Sequence, residues 1–359
     1  MFAQNKTLDG STLMQADTLV FSVDGERYCW RDVILSAVQR GDWRAAERRA
    51  RQGAACARHA EASGGALPSG VLDAAGREFR YAHDLVTASS MEEWLQRHEL
   101  SVQDWTACLR RSLLRARATE NLDALADRYP ISDEEAARLT LIDAVCSSEL
   151  SVWARALAER AAAHAYVEAG AVRMDDAPAP EPFDLSPLTL LWDEDSATLG
   201  AAAQRLSGLE ESLKGFRATL LTERAVQDYI STRQLDWVRF DCRVMSFPDA
   251  GMAAEAALLL REDGEGFTSV YQVAHAEPRA TQFFLDQIED SMRDHFLGSR
   301  PGDLIGPVHI DDEFILYQVE EKVLPTIRDQ DVRRRAEDGL ISSALDQQFE
   351  RRVDWRVVK

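Results

Sequence analysis

The side chains able to carry acid–base, nucleophilic or metal chemistry in this sequence are few and widely spaced. Seven histidines (His59, His83, His98, His164, His275, His295 and His309) never fall into HxxxH, HxH or HExxH spacing. Spacing therefore offers no preformed metal site. Five cysteines (Cys29, Cys56, Cys108, Cys146 and Cys242) are scattered, odd in number and never in CxxC pairs. That pattern suits reduced, buried thiols rather than a disulfide frame. Cys242 has an acidic neighbour in Asp241 and could act as a nucleophile, but no histidine base is close in sequence. A buried thiol is the commoner outcome. His309 falls in a β-type run, where a partly exposed strand histidine is the plain reading. GxSxG, Walker-type and GxGxxG elements are absent, which removes the usual hydrolase, NTPase and dinucleotide-binding readings. The expectation is no metal, no cofactor and no catalytic residue of a standard kind.

Composition narrows the partners. The chain has 359 residues, 45% hydrophobic, and a formal charge of −20. It is long enough for two or three packed domains. A strongly acidic surface argues against nucleic acid, whose binding needs cationic side chains, and against an anionic membrane. A basic or amphipathic peptide would be attracted instead. No run approaches the roughly 18 apolar residues of a membrane span. Met1–Gln15 lacks both a basic start and an apolar stretch, so no secretory signal is visible and the cytoplasm is the expected compartment.

The elements that must position these residues change character along the chain. Thr18–Cys29 reads as two β runs around Asp24-Gly25, a strong hairpin signal. Helical patterns follow over Trp30–Gln39, Trp43–Ser63 and Val71–Thr87, and capping boxes are expected at Ser90…Glu93, Ser101…Asp104 and Ser132…Glu135. Trp105, Cys108, Leu109, Ser112 and Leu113 form one helical face, with Arg110, Arg111, Arg115 and Arg117 mostly off it. Asp175–Pro187 carries four prolines and reads as a linker. Helices resume over Ala197–Leu221 and Glu223–Ser231. Leu235–Phe247 alternates as a strand would; Met252–Arg261, Phe267–Ala274 and Ala280–Phe296 read as helices. Leu304–Ile310 and Phe314–Val319 read as strands, Asp329–Glu350 as a long helix, and Val353–Val358 as a last β run.

This order, and the words that spell it, resemble the parvulin family of peptidyl-prolyl isomerases. Pro301–Lys322 (PGDLIGPVHIDDEFILYQVEEK) resembles the family's closing signature, a Pro-Gly turn, a "PV" strand and a returning strand with the pattern Gly-Tyr-His-Ile. Met252–Ala274 resembles its Ala-rich helix, Gly turn and following helix. Phe79–Arg117 resembles the helical peptide-holding part of parvulin-type foldases. The whole chain is similar to PpiC-related proteins of peptide maturation systems, which accompany ribosomally made, post-translationally modified peptides; Trp237, VRRRAED and RRVDW belong to that likeness.

The resemblance implies an α+β chain. It would comprise a helical chaperone-like domain with an N-terminal hairpin (1–174), the linker (175–187), connecting helices (188–234), a degenerate parvulin-like domain (235–325) and a C-terminal helix and strand (326–359). An active parvulin sets one histidine on the first strand and another on the returning strand. Here Phe314 falls on the motif tyrosine, Ile315 on the motif histidine, and the first strand has none. The implied role is non-catalytic: a chaperone-like accessory that holds a precursor or leader peptide for maturation enzymes, in an apolar cleft between the two parts. The peptide-binding candidates are Phe240, Cys242, Phe267, Tyr271, Phe314 and Ile315, with Trp94 and Trp105 in the helical part. The alternative is a divergent enzyme on the parvulin scaffold, either a prolyl isomerase or a peptide-modifying catalyst; a general chaperone is a third reading.

Overall fold

The computed structural model describes residues 14–65, 67–170, 184–192, 196–262, 270 and 278–356. The fold is α+β, mostly helical, with two small antiparallel sheets. It divides into two compact units: Met1–Arg217 together with Ala344–Lys359, and Ala218–Ser343. No helix among the described residues is long and apolar enough to cross a membrane.

The first unit opens with β1 (Leu19–Val23) and β2 (Glu26–Cys29). Asp24 and Gly25 both take positive φ, 47° and 93°, the geometry that matches a two-residue hairpin to strand twist. Next come α1 (Trp30–Arg40) and α2 (Asp42–Ser63), joined at Gly41, whose φ of 81° closes the first helix. Then follow α3 (Val71–Ala82), α4 (Ala88–Arg97), α5 (Val102–Arg117), α6 (Leu122–Arg128), α7 (Asp133–Cys146), α8 (Glu149–Ala169), α9 (Ser186–Trp192) and α10 (Ser196–Leu220). Helices α5, α6 and α7 pack around α2, while α8 packs on α1 and β1. The fit of α8 rests on small side chains: Ala154, Ala158, Ala161 and Ala162 are wholly buried.

Several local readings shift. Ser101 and Asp104 form the expected capping box at α5, whereas at α7 Ser132 accepts the Glu135 N–H but the Glu135 carboxylate takes Arg58 instead of reaching back. At α4 the cap is Thr87, and Ser90 is the third helical residue that bonds back to it. Helix α3 ends at Ala82, short of Thr87. Residues 175–183 of the expected linker lie outside the described residues; its end belongs to α9, which starts at Ser186 with Pro187 in the first turn, where a missing N–H costs nothing. Arg111 is buried, not off the apolar face, because Asp143 of α7 receives its guanidinium.

The second unit carries α11 (Glu223–Thr232), β3 (Arg239–Phe247), α12 (Ala250–Glu262), β4 (Arg279–Phe284), a 3₁₀ turn (Leu285–Gln287), α13 (Asp290–Gly298), β5 (Leu304–Ile310), β6 (Glu313–Val323) and most of α14 (Gln330–Arg352). Its sheet runs β4-β3-β6-β5, antiparallel throughout. Ala280–Phe296 is therefore not one helix. Arg279–Phe284 gives its backbone to β3, and helix starts only at Asp290. Pairing with β3 overrides the local pattern. Leu235–Val238 also stays out of the strand; Trp237 instead packs among Val226, Ile230 and Val332. Apart from Val270, Phe267–Ala274 lies outside the described residues.

The final strand β7 (Val353–Trp355) returns to the first sheet, which runs β2-β1-β7. Trp355 stacks on Phe21 at 5.5 Å, and Tyr28 covers the same phenyl ring at 4.8 Å. Phe21 has no exposed surface, a burial that stabilises by about 1.5–3 kcal/mol.

Candidate functional site

Alternation along β3 and β6 sorts the second unit's candidates onto two faces. Phe240, Cys242, Val244 and Ser246 share one side of β3; across the ladder stand Lys322, Val319, Tyr317 and Ile315. Helix α13 covers part of that side with Met292 and Phe296. Met245, Phe247, Leu316 and Phe314 belong to the other side, packed with Ala253, Ala256 and Ala257 of α12. The structure thus brings Phe240, Cys242 and Ile315 onto one face and sends Phe314 to the opposite one.

Two of these candidates are too deep to touch a ligand. Phe240 has no exposed surface and Cys242 only 1%, so both support the face from behind. Burial, with the nearby Asp241 and Glu320 charges, pushes the Cys242 thiol up to about 12. A thiol held protonated through the physiological range is not a nucleophile. Asp241 alternates to the other side, where Gln282 Nε2 donates to its Oδ1 at 2.8 Å and Arg239 lies 3.3 Å away. His309 pairs with Phe314, ring centroids 4.7 Å apart, and so also stands on the α12 side.

What the first face exposes is a shallow apolar patch. Val244, Ser246, Ile315, Tyr317 and Val308 are each half-buried and are neighbours across β3, β6 and β5. Behind it lies a box of rings. Phe296 meets Phe283 at 5.1 Å and Tyr317 at 5.5 Å, both edge-on, and Phe240 at 5.3 Å. Edge-to-face contacts of this kind add roughly 0.5–1.5 kcal/mol each beyond area burial. Lys322 steadies the back of the face: its ammonium lies 5.5 Å over the Phe240 ring and donates to the Leu297 carbonyl at the end of α13. Burial raises the Tyr317 phenol, with Cys242 adding to the shift, so the hydroxyl stays neutral and available as a hydrogen-bonding group. Arg279 Nη2 donates to Ser246 Oγ at 3.3 Å at the patch's polar margin.

The sheet edge beside the patch is guarded. Arg261 Nη2 donates to the Gly306 carbonyl at 2.8 Å, and Pro307 brings no N–H to β5. A groove of about 610 Å³ runs along this edge, lined by Arg261, His295, Ser299, Asp303 and Val308 among others.

Phe267 and Tyr271 lie outside the described residues. In the first unit, Trp94 and Trp105 gather around Phe79, at 5.3 and 5.6 Å, with the His83 and His98 rings tilted against the same cluster. Burial lowers both histidines, which favours neutral rings there. Trp94 is buried and Trp105 half-buried, its ring filling the space that Gly76 leaves open. Sequence reasoning missed Tyr317, Phe296 and Val244. The first two could have been found from strand alternation through Ile315 and from a correctly placed α13. The chain matches no family model, and no curated protein matches it.

Proposed function

We propose that residues 235–325, within the second unit, form a PpiC-related, parvulin-like domain that has given up catalysis, and that the protein holds a precursor peptide for cytoplasmic maturation. Ile315, half-buried at the centre of the exposed face, carries this reading. The resemblance puts a histidine there; isoleucine offers apolar contact and no proton. Ser246 stands across from it, no histidine lies on the side of β3, β5 or β6 that carries it, and His295 of α13 lines the groove beside Val308. The patch around Tyr317 and Ile315 suits a proline or other compact apolar side chain, with the tyrosine hydroxyl free to bond a peptide group. The −20 charge of the chain would speed the approach of a basic peptide.

The test is calorimetric titration of the precursor peptide against the full chain, with Tyr317→Ala in parallel. Micromolar, saturable binding that Tyr317→Ala weakens supports holding; no binding at high micromolar concentration ends the proposal. A protease-coupled isomerisation assay on the same samples separates the alternative, because uncatalysed prolyl exchange takes tens of seconds or more. Acceleration by the protein would make it a divergent isomerase instead.

A further inference from the structure

In the first unit, helices α2, α5, α7 and the start of α8 line a pocket of about 230 Å³ that is open to solvent on one side. Arg49, Arg111 and Arg115 line it, with Asp143 and Glu149. Three guanidinium groups against two carboxylates leave the cavity cationic in a chain whose formal charge is −20. That local inversion of sign is held on rigid helices, not on a loop.

The arginines are not equally satisfied. Arg49 pairs with Glu149, and Arg111 with Asp143. The Arg111 side chain is only 9% exposed, yet its Nε has no hydrogen-bond partner. Arg115, one helical turn further along α5 and half-buried, forms no ion pair among the described residues. Gly53 lets α5 come close enough to build the site: a Cβ there would stand 3.2 Å from the Arg111 Cβ.

We infer that this cavity binds a compact oxyanion, a phosphate or carboxylate group, between Arg115 and Arg111, with Arg49 at its side. The planar guanidinium fork matches both anions bidentately. The volume holds several water-sized groups, at about 30 Å³ each, which fits one such head group. The site lies in the first unit and does not depend on the peptide-holding reading of the second.

The experiment uses the full chain, titrated calorimetrically with inorganic phosphate, and separately with a short peptide bearing a free C-terminal carboxylate or its amide. One-to-one saturable binding of phosphate or of the free-acid peptide is expected, weakened at least about tenfold by Arg115→Gln and unchanged by Arg224→Gln, a fully solvated arginine on α11. Phosphate binding alone assigns the site to free phosphate or phosphoryl groups; preference for the free-acid peptide over its amide assigns it to carboxylates. If Arg115→Gln does not fold, Arg115→Lys, which keeps the charge and loses the fork, should show an intermediate loss. Absence of saturable binding of either anion, or equal binding by wild type and the Arg115 variant, overturns the inference.

Discussion

Tyr317 stands directly across the β3–β6 ladder from Val244, and its ring meets Phe296 at 5.5 Å, nearly at right angles. The ring therefore has one edge in the packed box and one edge on the exposed patch. Tyr317→Phe should keep the box intact and change folding stability by less than about 1 kcal/mol, since only a hydroxyl is lost. Tyr317→Ala should cost about 2–4 kcal/mol, below the range for a fully buried ring because this one is half-buried. Urea denaturation of the two variants against wild type checks the order.

On the parvulin-like reading proposed above, Ile315→His would supply the motif histidine without a second one across the ladder. Ser246 lies opposite, and Cys242 is displaced along the ladder opposite Val319. The variant is expected to leave prolyl exchange at its uncatalysed rate in a protease-coupled assay. A rate enhancement of tenfold or more would mean that one imidazole suffices on this face.

Gly306 adopts φ +108°, and a Cβ there would stand 2.5 Å from the Ile315 carbonyl oxygen. Backbone cannot yield as a side-chain tip can. Gly306→Ala should therefore destabilise the second unit by about 2–4 kcal/mol, combining an unfavourable φ with a contact that must open. A denaturation midpoint unchanged within error would contradict the geometry.

Cys242 gives a pH signature. Its thiol sits at about 12 in the fold against an ordinary value near 9.0. A raised value means the folded state favours the protonated form. The contribution is complete below pH 9 and is lost progressively as pH rises from 9 toward 12. Cys29, pushed up to about 11, adds its own slope there, and burial raises the Tyr317 phenol as well. The informative quantity is the difference: Cys242→Ala should flatten the fall in stability between pH 9 and 10.5, by at most about 1.4 kcal/mol per pH unit. Parallel slopes would show that the thiol ionises freely.

The Arg111–Asp143 pair calls for a double-mutant cycle. Arg111→Met alone leaves Asp143 without its cationic partner and should cost about 3–5 kcal/mol. Adding Asp143→Leu should recover much of that loss, because an apolar pair of similar volume no longer carries a stranded charge. Thermal or urea unfolding of the four proteins gives the coupling.

Much of the scaffold was legible from local chemistry. The Asp24-Gly25 turn, the caps at Ser101 and Ser132, and the β5–β6 hairpin around Asp311 all follow from residues within a few positions of one another. The misreadings came where distant partners decide. Arg279–Phe284 is a strand because β3 is beside it, and Arg111 is buried because Asp143 of α7 meets it. For the site, sequence gave Ile315 its position on the returning strand, but grouped Phe314 with it although adjacent strand residues face opposite ways. Tyr317 was passed over, since only α13 and its Phe296 turn that tyrosine into part of a ring box.

The β7–β1 pairing also sets a timetable. Phe21 and Trp355 are more than 300 positions apart in sequence, with the second unit lying between them. At roughly 5–20 residues per second, a ribosome needs some tens of seconds to deliver the third strand to a hairpin it made at the outset. Over that interval Phe21 lacks its Trp355 cover, while residues 218–343 can emerge whole and fold as a body. The unit that begins the chain is therefore the last to be completed, since its third strand follows the inserted residues 218–343.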